Sequence, residues 1–135
     1  MRLGVDVSTG RSELYSIAFD AYRNNPFFGI GVGRFTTLQG AYTATHNAYF
    51  QVLCEQGLFG LLLFLIPLSM CLIRTITLIR TAENSESLRY LKLSLYIQLV
   101  FIFYSFSGNT TINLFGYIMY FLSITLLIQA TSINN

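Results

Sequence analysis

The stretch GLFGLLLFLIPLSMCLI, residues 57–73, has no charged side chain, and its apolar character extends to residue 79 with only Arg74 interrupting it. Crossing the hydrocarbon core of a bilayer takes about 20 mostly apolar helical residues. Two later windows, residues 90–106 and 112–128, have a similar composition. We therefore predict an all-α polytopic membrane protein segment in which three transmembrane helices follow a short helical outer loop.

The composition of the whole chain supports this prediction. Of its 135 residues, 53% are hydrophobic and only 10% are charged, whereas about a quarter of the residues in soluble domains are charged. The net charge is +2, and no basic stripe with interleaved aromatics is present, which argues against a nucleic-acid partner. Cys54 and Cys71 have neither zinc-ligand spacing nor a redox motif, so we interpret them as packed apolar thiols.

Basic residues next to the predicted spans suggest an orientation in the membrane. The connection between the first two spans is flanked by four of them: Arg74, Arg80, Arg89 and Lys92. Because basic residues near span ends favour the cytoplasm, we predict residues 1–56 outside and the C-terminus inside. Four arginines in the outer segment weaken this asymmetry: Arg2, Arg11, Arg23 and Arg34. The predicted domains are thus an extracytoplasmic segment, 1–56, and a membrane segment, 57–135.

The outer segment begins with a predicted amphipathic helix of about four turns. Its apolar residues recur at helical spacing: Leu14, Ile17, Ala18, Ala21 and Tyr22. The sequence NNP ends the helix before Pro26. Arg11 lies on the apolar side of this helix, so we expect it to contact an anion or to lie at a polar rim.

A glycine-rich stretch, FFGIGVGRF at residues 27–35, follows the helix. Its G-x-G-x-G spacing differs from the G-x-G-x-x-G of dinucleotide sites, and no preceding strand is predicted. Two interpretations are open. The stretch is either a flexible surface turn or a backbone concavity whose N–H groups, together with Arg34, bind an anion such as phosphate.

The only histidine precedes the first span, in HNAYFQVLCEQGLFG at residues 46–60. If this stretch is one helix, a single face carries the following residues, with Glu55 opposite: His46, Phe50, Leu53, Gly57 and Gly60. Small residues at 57 and 60 would let a neighbouring helix approach closely. His46 would then lie at the outer membrane boundary, as a general base or as a hydrogen-bonded interfacial residue. One histidine without suitably spaced carboxylates predicts no metal site.

These residues resemble a known family. The order His46-Asn47, nine residues, Gly57, two residues, Gly60 is similar to the histidine signature of the O-antigen ligase and polymerase family, bacterial membrane proteins with a large outer loop. The preceding order is also similar to that loop: STGR ending in Arg11, a short helix, and NPFFGIGVGRF. The resemblance covers residues 8 to 66.

The resemblance implies a glycosyltransferase of the bacterial cytoplasmic membrane. Such an enzyme moves a glycan from an undecaprenyl pyrophosphate carrier to a saccharide acceptor hydroxyl at the outer face, with no metal, cofactor or nucleotide sugar. Carried over to this chain, His46 would be the base, Arg11 the pyrophosphate contact and Arg34 a second one. Asn47 would orient the imidazole or the acceptor, and Tyr49 would line the sugar site.

Members of that family have many more membrane spans, so the resemblance implies N-terminal transmembrane helices beyond this chain. The chain would then be the C-terminal part of a longer protein, a truncated frame or one half of a split enzyme, and we do not expect it to act alone. The alternative is a non-catalytic membrane module. It would be a fragment of a polysaccharide exporter, with polar residues along a pathway in the spans, or a scaffold that packs through Gly57 and Gly60.

Overall fold

The computed structural model describes residues 7–110 and 114–134. These residues form four α-helices and one 3-10 turn: α1 (Val7–Asn24), the 3-10 turn (Phe35–Thr37), α2 (Ala48–Thr81), α3 (Ser85–Ser107) and α4 (Leu114–Asn134). Three of the helices are long and apolar enough to cross a membrane, namely Ala48–Thr81, Ser85–Ser107 and Leu114–Ile133. The all-α fold class and the three predicted spans are confirmed, although residues 112 and 113 of the third lie outside the described residues.

Helix α2 is interrupted at Gly57, which has φ 68° and ψ −164°. The helix begins at Ala48, so His46 precedes it, and His46 itself has φ 54°. The prediction of one helical face running from His46 to Gly60 is therefore wrong. The helical spacing of apolar residues continues through residue 57. The backbone, however, leaves the helical conformation at Gly57 and returns to it afterwards.

The chain divides into two compact units. The first comprises residues up to Phe64 together with Ser105–Asn109. Its core is formed by side chains from α1, from the segment between α1 and α2, and from α2: Leu14, Ala18, Ala21, Phe35, Ala41 and Cys54. Cys54 is fully buried and free, as expected of a packed apolar thiol. This unit contains every residue that the sequence analysis assigned to the site.

The second unit, Leu65–Tyr104 with Thr110–Asn135, packs α3 against α2 and α4. Its helices are joined by hydrogen bonds from buried polar side chains: Ser87 Oγ to Ala130 O (3.0 Å), Ser94 Oγ to Ser123 O (2.7 Å) and Gln98 Nε2 to Thr75 Oγ1 (2.9 Å). Polar side chains commonly join helices inside membranes in this way. These residues therefore contribute to helix packing.

Candidate active site

The break in α2 is filled by the loop that follows α1. Four backbone hydrogen bonds join the two segments: Ile30 N–H to Cys54 O (3.0 Å), Gly31 N–H to Glu55 O (2.8 Å), Leu58 N–H to Pro26 O (2.8 Å) and Phe59 N–H to Phe27 O (3.2 Å). A helix end leaves carbonyls without partners before the break and N–H groups without partners after it. The loop satisfies two carbonyls and two N–H groups, so it bridges the gap at Gly57.

Two glycines allow this close approach of backbones. Gly57 and Gly29 both have positive φ, at 68° and 69°. A Cβ at Gly57 would collide with the backbone of Phe27 and Phe28, and a Cβ at Gly29 would collide with the backbone of Glu55. The backbone that approaches Gly57 thus belongs to a loop, whereas the sequence analysis expected a neighbouring helix.

At Gly60, a Cβ would meet the side chain of Gln56, which lies one turn earlier in the same helix. The predicted packing of a neighbouring helix on Gly60 stays a prediction.

The carboxylate of Glu55 binds the glycine-rich stretch to α2. This side chain is only 5% exposed. Its Oε2 accepts a hydrogen bond from Gly33 N–H (2.9 Å), and its Oε1 accepts from Phe35 N–H (3.1 Å) and from Gln51 Nε2 (2.6 Å). A buried carboxylate requires such donors. The glycine-rich backbone does hold an anion, but that anion is a carboxylate of the protein itself.

The same network continues to the residues on either side of His46. Gln51 Oε1 accepts a hydrogen bond from Thr45 N–H (3.1 Å), and the Thr45 hydroxyl lies 2.7 Å from Asn47 O. Asn47 Oδ1 accepts from the N–H groups of Tyr49 (3.0 Å) and Phe50 (3.2 Å), so Asn47 caps the N-terminus of α2. Thr45, Gln51 and Asn47 are all buried.

His46 lies between two of these buried residues but is itself exposed. Among the described residues it is the one non-glycine residue with positive φ. Backbone in the left-handed region is unfavourable for a residue with a Cβ, and such positions cluster at functional sites. The buried neighbours Thr45 and Asn47 hold His46 in this conformation and direct its imidazole away from the core.

Arg11 lies at the same end of the first unit as His46. The ring of Tyr15 in α1 stacks on the ring of Phe50 in α2, with centroids 4.8 Å apart, while the loop after α1 bonds to residues 54–59. The two helices therefore run side by side in the same direction. Arg11 lies one helical turn before Tyr15, and His46 lies in the segment that leads into α2, just before Asn47 caps that helix. Both polar side chains are exposed.

This combination of histidine, arginine and glycine-rich loop lies within the range that a family model recognises. The model for O-antigen ligase matches residues 5–65. We call residues 5–65 the O-antigen ligase domain, after the family whose model they match. The match spans α1, the glycine-rich stretch, His46 and the break at Gly57. No curated protein and no solved structure is detectably similar to the chain.

Arg34, the second predicted pyrophosphate contact, lies apart from this end of the O-antigen ligase domain. Arg34 is exposed, and its side chain lies beside Gly31, with Cδ 3.2 Å from where a Cβ of Gly31 would be. Gly31 bonds to Glu55, about 10 Å along α2 from the first residue of that helix. Arg34 thus lies towards the helix break.

Tyr49 is half-buried and packs against two aromatic rings, those of Phe106 (centroids 4.6 Å apart) and Phe64 (5.9 Å). Asn47 uses its side-chain oxygen as a helix cap. The assignment of Tyr49 to a sugar site and of Asn47 to the imidazole or acceptor stays a prediction. Within the described residues, no group of three His, Cys, Asp or Glu side chains is placed to hold a metal ion.

The connection between the glycine-rich stretch and the segment around His46 was not predicted from the sequence. It runs through Glu55, Gln51 and Thr45. One signal was available. Glu55 is an acidic residue directly before an apolar span, with Gln51 one helical turn earlier. An acidic side chain in that position needs hydrogen-bond donors if it is buried, but the sequence does not say that residues 33 and 35 provide them.

Glu55→Gln is expected to destabilise the O-antigen ligase domain. An amide has one acceptor oxygen, so its NH₂ group must face at least one of the three donors that Glu55 now satisfies, at a cost of about 1–3 kcal/mol. Thermal unfolding of the detergent-solubilised protein measures the change. Glu13→Gln, at an exposed position of α1, is the matched control. Equal unfolding temperatures for the two variants would contradict the role given to Glu55.

Proposed function

We propose that this domain acts in a glycosyltransferase that moves a glycan from an undecaprenyl pyrophosphate carrier to a saccharide hydroxyl. The product is an extended surface polysaccharide if the enzyme is a polymerase, or a capped lipid A core if it is a ligase. The supporting observation is that exposed His46 and exposed Arg11 lie at one end of the domain that matches the O-antigen ligase family.

His46 acts as the general base in this proposal. The acceptor hydroxyl attacks the anomeric carbon of the donor sugar, the new glycosidic bond forms, and the bond from that carbon to the pyrophosphate oxygen breaks. A hydroxyl is a weak nucleophile until a positioned base takes its proton, and the imidazole receives that proton. The exposure of His46 supports this role, because a base must be accessible. The buried, hydrogen-bonded residues on either side of it also support the role, because a base must be held in position.

Arg11 binds the pyrophosphate as it leaves. Negative charge grows on the leaving group during the reaction, and a fixed cation near it lowers the barrier. Arginine suits this role because its planar guanidinium can bind two phosphate oxygens at once. Arg34 is the second candidate. Its position towards the helix break suggests a contact with a different part of the lipid-linked donor.

The proposed orientation places residues 1–56 outside the bacterial cytoplasmic membrane and the C-terminus in the cytoplasm. Four basic side chains in or beside the connection between α2 and α3 are exposed: Arg74, Arg80, Arg89 and Lys92. Their position favours a cytoplasmic connection. The lipid-linked donor and the acceptor then meet the His46 end of the domain at the outer face.

The experiment that tests the proposed function is deletion of the gene in its own bacterium, followed by restoration. Gel electrophoresis of surface glycan and chromatography of lipid-linked glycan provide the two readouts. A polymerase predicts loss of long chains, whereas a ligase predicts full-length chains that stay on the lipid carrier. Unchanged surface and lipid-linked glycan in the deletion strain would contradict both.

Arg11→Ala is expected to lower the rate of transfer by about 10- to 100-fold at subsaturating donor, because a charge-assisted hydrogen bond is worth roughly 1.5–3 kcal/mol. Initial rates in membranes, measured against donor concentration, give the change in kcat/KM. Arg23→Ala is the matched control, since Arg23 is also exposed on α1 but lies near its other end, over the ring of Phe19. The same loss in both variants would rule out a specific pyrophosphate contact at Arg11.

A further inference from the structure

Four apolar side chains near the helix break are exposed, and the three phenylalanines among them lie together. Phe28 and Val32 are 77% and 76% exposed, and Phe27 and Phe59 are 58% and 51% exposed. The Phe28 and Phe59 rings stack with centroids 5.3 Å apart, and the Phe27 and Phe59 centroids are 6.1 Å apart. We call this group the loop patch. Contiguous exposed apolar surface of this kind marks an interaction site.

The loop patch is continuous with the surface of a membrane span. Phe59 lies in the first turn of α2 after the break, and Leu62 and Leu63, one turn later, are also exposed. The loop is held beside the first turn after the break by the hydrogen bonds that its carbonyls accept from the N–H groups of residues 58 and 59. Its phenylalanines therefore lie beside the first turn of the segment that continues into the apolar run.

The loop also has two properties expected of a segment that is buried in a membrane: it lacks charged side chains, and its backbone groups are hydrogen-bonded within the protein. Residues 24–33 contain no Asp, Glu, Lys or Arg. Much of the loop backbone is hydrogen-bonded: the carbonyls of residues 26 and 27 accept bonds from α2, and the N–H groups of residues 29, 30, 31 and 33 donate to protein oxygens. Backbone groups near hydrocarbon must be satisfied within the protein.

We propose that the loop patch inserts into the bilayer interface at the membrane surface where α2 enters, with lipid acyl chains as its partner. Phenylalanine side chains on the apolar face of an interfacial segment are buried at the boundary between headgroups and acyl chains. The exposed Arg34 follows Val32 by two residues and lies at the polar edge of the inserted loop, level with lipid phosphates. The bilayer thus holds the glycine-rich stretch at headgroup level, whether or not the domain is catalytic.

The chain has no tryptophan and nine tyrosines, so Phe28→Trp introduces a single tryptophan into the patch, whose emission is excited selectively at a longer wavelength than that of tyrosine. The protein is reconstituted into phosphatidylcholine vesicles with or without brominated acyl chains, which quench tryptophan on contact. Leu63→Trp is the lipid-exposed reference, because Leu63 is 74% exposed on the span. Tyr42→Trp is the aqueous reference, because Tyr42 is 70% exposed beside Gly10, near the Arg11 end of α1.

Insertion predicts that brominated lipid quenches Phe28→Trp to at least about half the extent seen for Leu63→Trp, and that acrylamide quenches it less than Tyr42→Trp. Quenching by acrylamide to the extent seen for Tyr42→Trp, with no effect of brominated lipid, would place the patch in water and overturn the proposal. Protection from both quenchers would show that protein covers the patch, which would also overturn it. Circular dichroism confirms that the three variants have equal helix content.

Discussion

Gly57→Ala is expected to destabilise the first unit by about 3–6 kcal/mol, since it adds backbone strain and breaks hydrogen bonds to the loop. The added Cβ would collide with the backbone of Phe27 and Phe28, so the loop must move away. The four bonds between residues 26–31 and α2 cannot all survive this movement. Because folded proteins are stable by only about 5–15 kcal/mol, we expect a large fall in the amount of folded protein.

Gly33→Ala separates the two contributions to that loss. Gly33 also has positive φ, at 74°, but a Cβ there would meet no other atom within 4 Å. This variant therefore carries only the backbone cost, about 1–2 kcal/mol. Size-exclusion chromatography after a heating series in detergent measures the folded fraction of each. If Gly57→Ala survived heating as well as Gly33→Ala, the loop would not be held in the break as described.

The overall fold could be predicted from short-range patterns. Three apolar windows of sufficient length indicate three spans because a bilayer admits few other structures. Likewise, the spacing of Leu14, Ala18 and Ala21 predicts the buried face of α1, and all three are buried. These inferences need only the helical period and the thickness of a membrane.

The break in α2 could not be predicted in this way. The apolar pattern passes through Gly57 without a change, and a single glycine inside a helix is common enough to carry little information. What opens the helix is a set of bonds to residues 26–31, about thirty positions earlier. Similarly, Glu55 was placed opposite His46, but Gln51 and Thr45 connect its carboxylate to the residues beside the histidine. Both features depend on contacts between distant parts of the chain.

Part of the candidate site could be predicted from the sequence and part could not. The resemblance pointed to His46 and Arg11, and the structure places them at one end of a helix pair because Tyr15 stacks on Phe50. No sequence pattern indicates the left-handed backbone of His46, since that conformation is imposed by its buried neighbours Thr45 and Asn47.

His46→Asn is expected to lower glycan transfer by about 10²- to 10⁴-fold, the usual contribution of a general base. Asparagine is the suitable replacement because it adopts positive φ more readily than most residues. The domain should therefore stay folded while it loses the imidazole. Initial transfer rates at matched protein abundance measure the effect.

Thr43→Ala, a half-buried position three residues earlier in the same loop, is the control for a general disturbance of the loop. It should leave the rate of transfer within about threefold of wild type, because most substitutions away from a specific contact have small effects. Equal losses in Thr43→Ala and His46→Asn would indicate that the loop as a whole matters, and that the histidine has no special role.

The catalytic role of His46 is tested most directly by comparing wild type and His46→Asn in the native bacterium at matched membrane abundance. Surface glycan and lipid-linked glycan are measured in the same cells. If His46 is the general base, His46→Asn loses long or transferred glycan and accumulates the lipid-linked donor, while the protein remains folded. Unchanged surface and lipid-linked glycan at equal abundance would contradict it, and His46 would then be a structural residue of a non-catalytic membrane module.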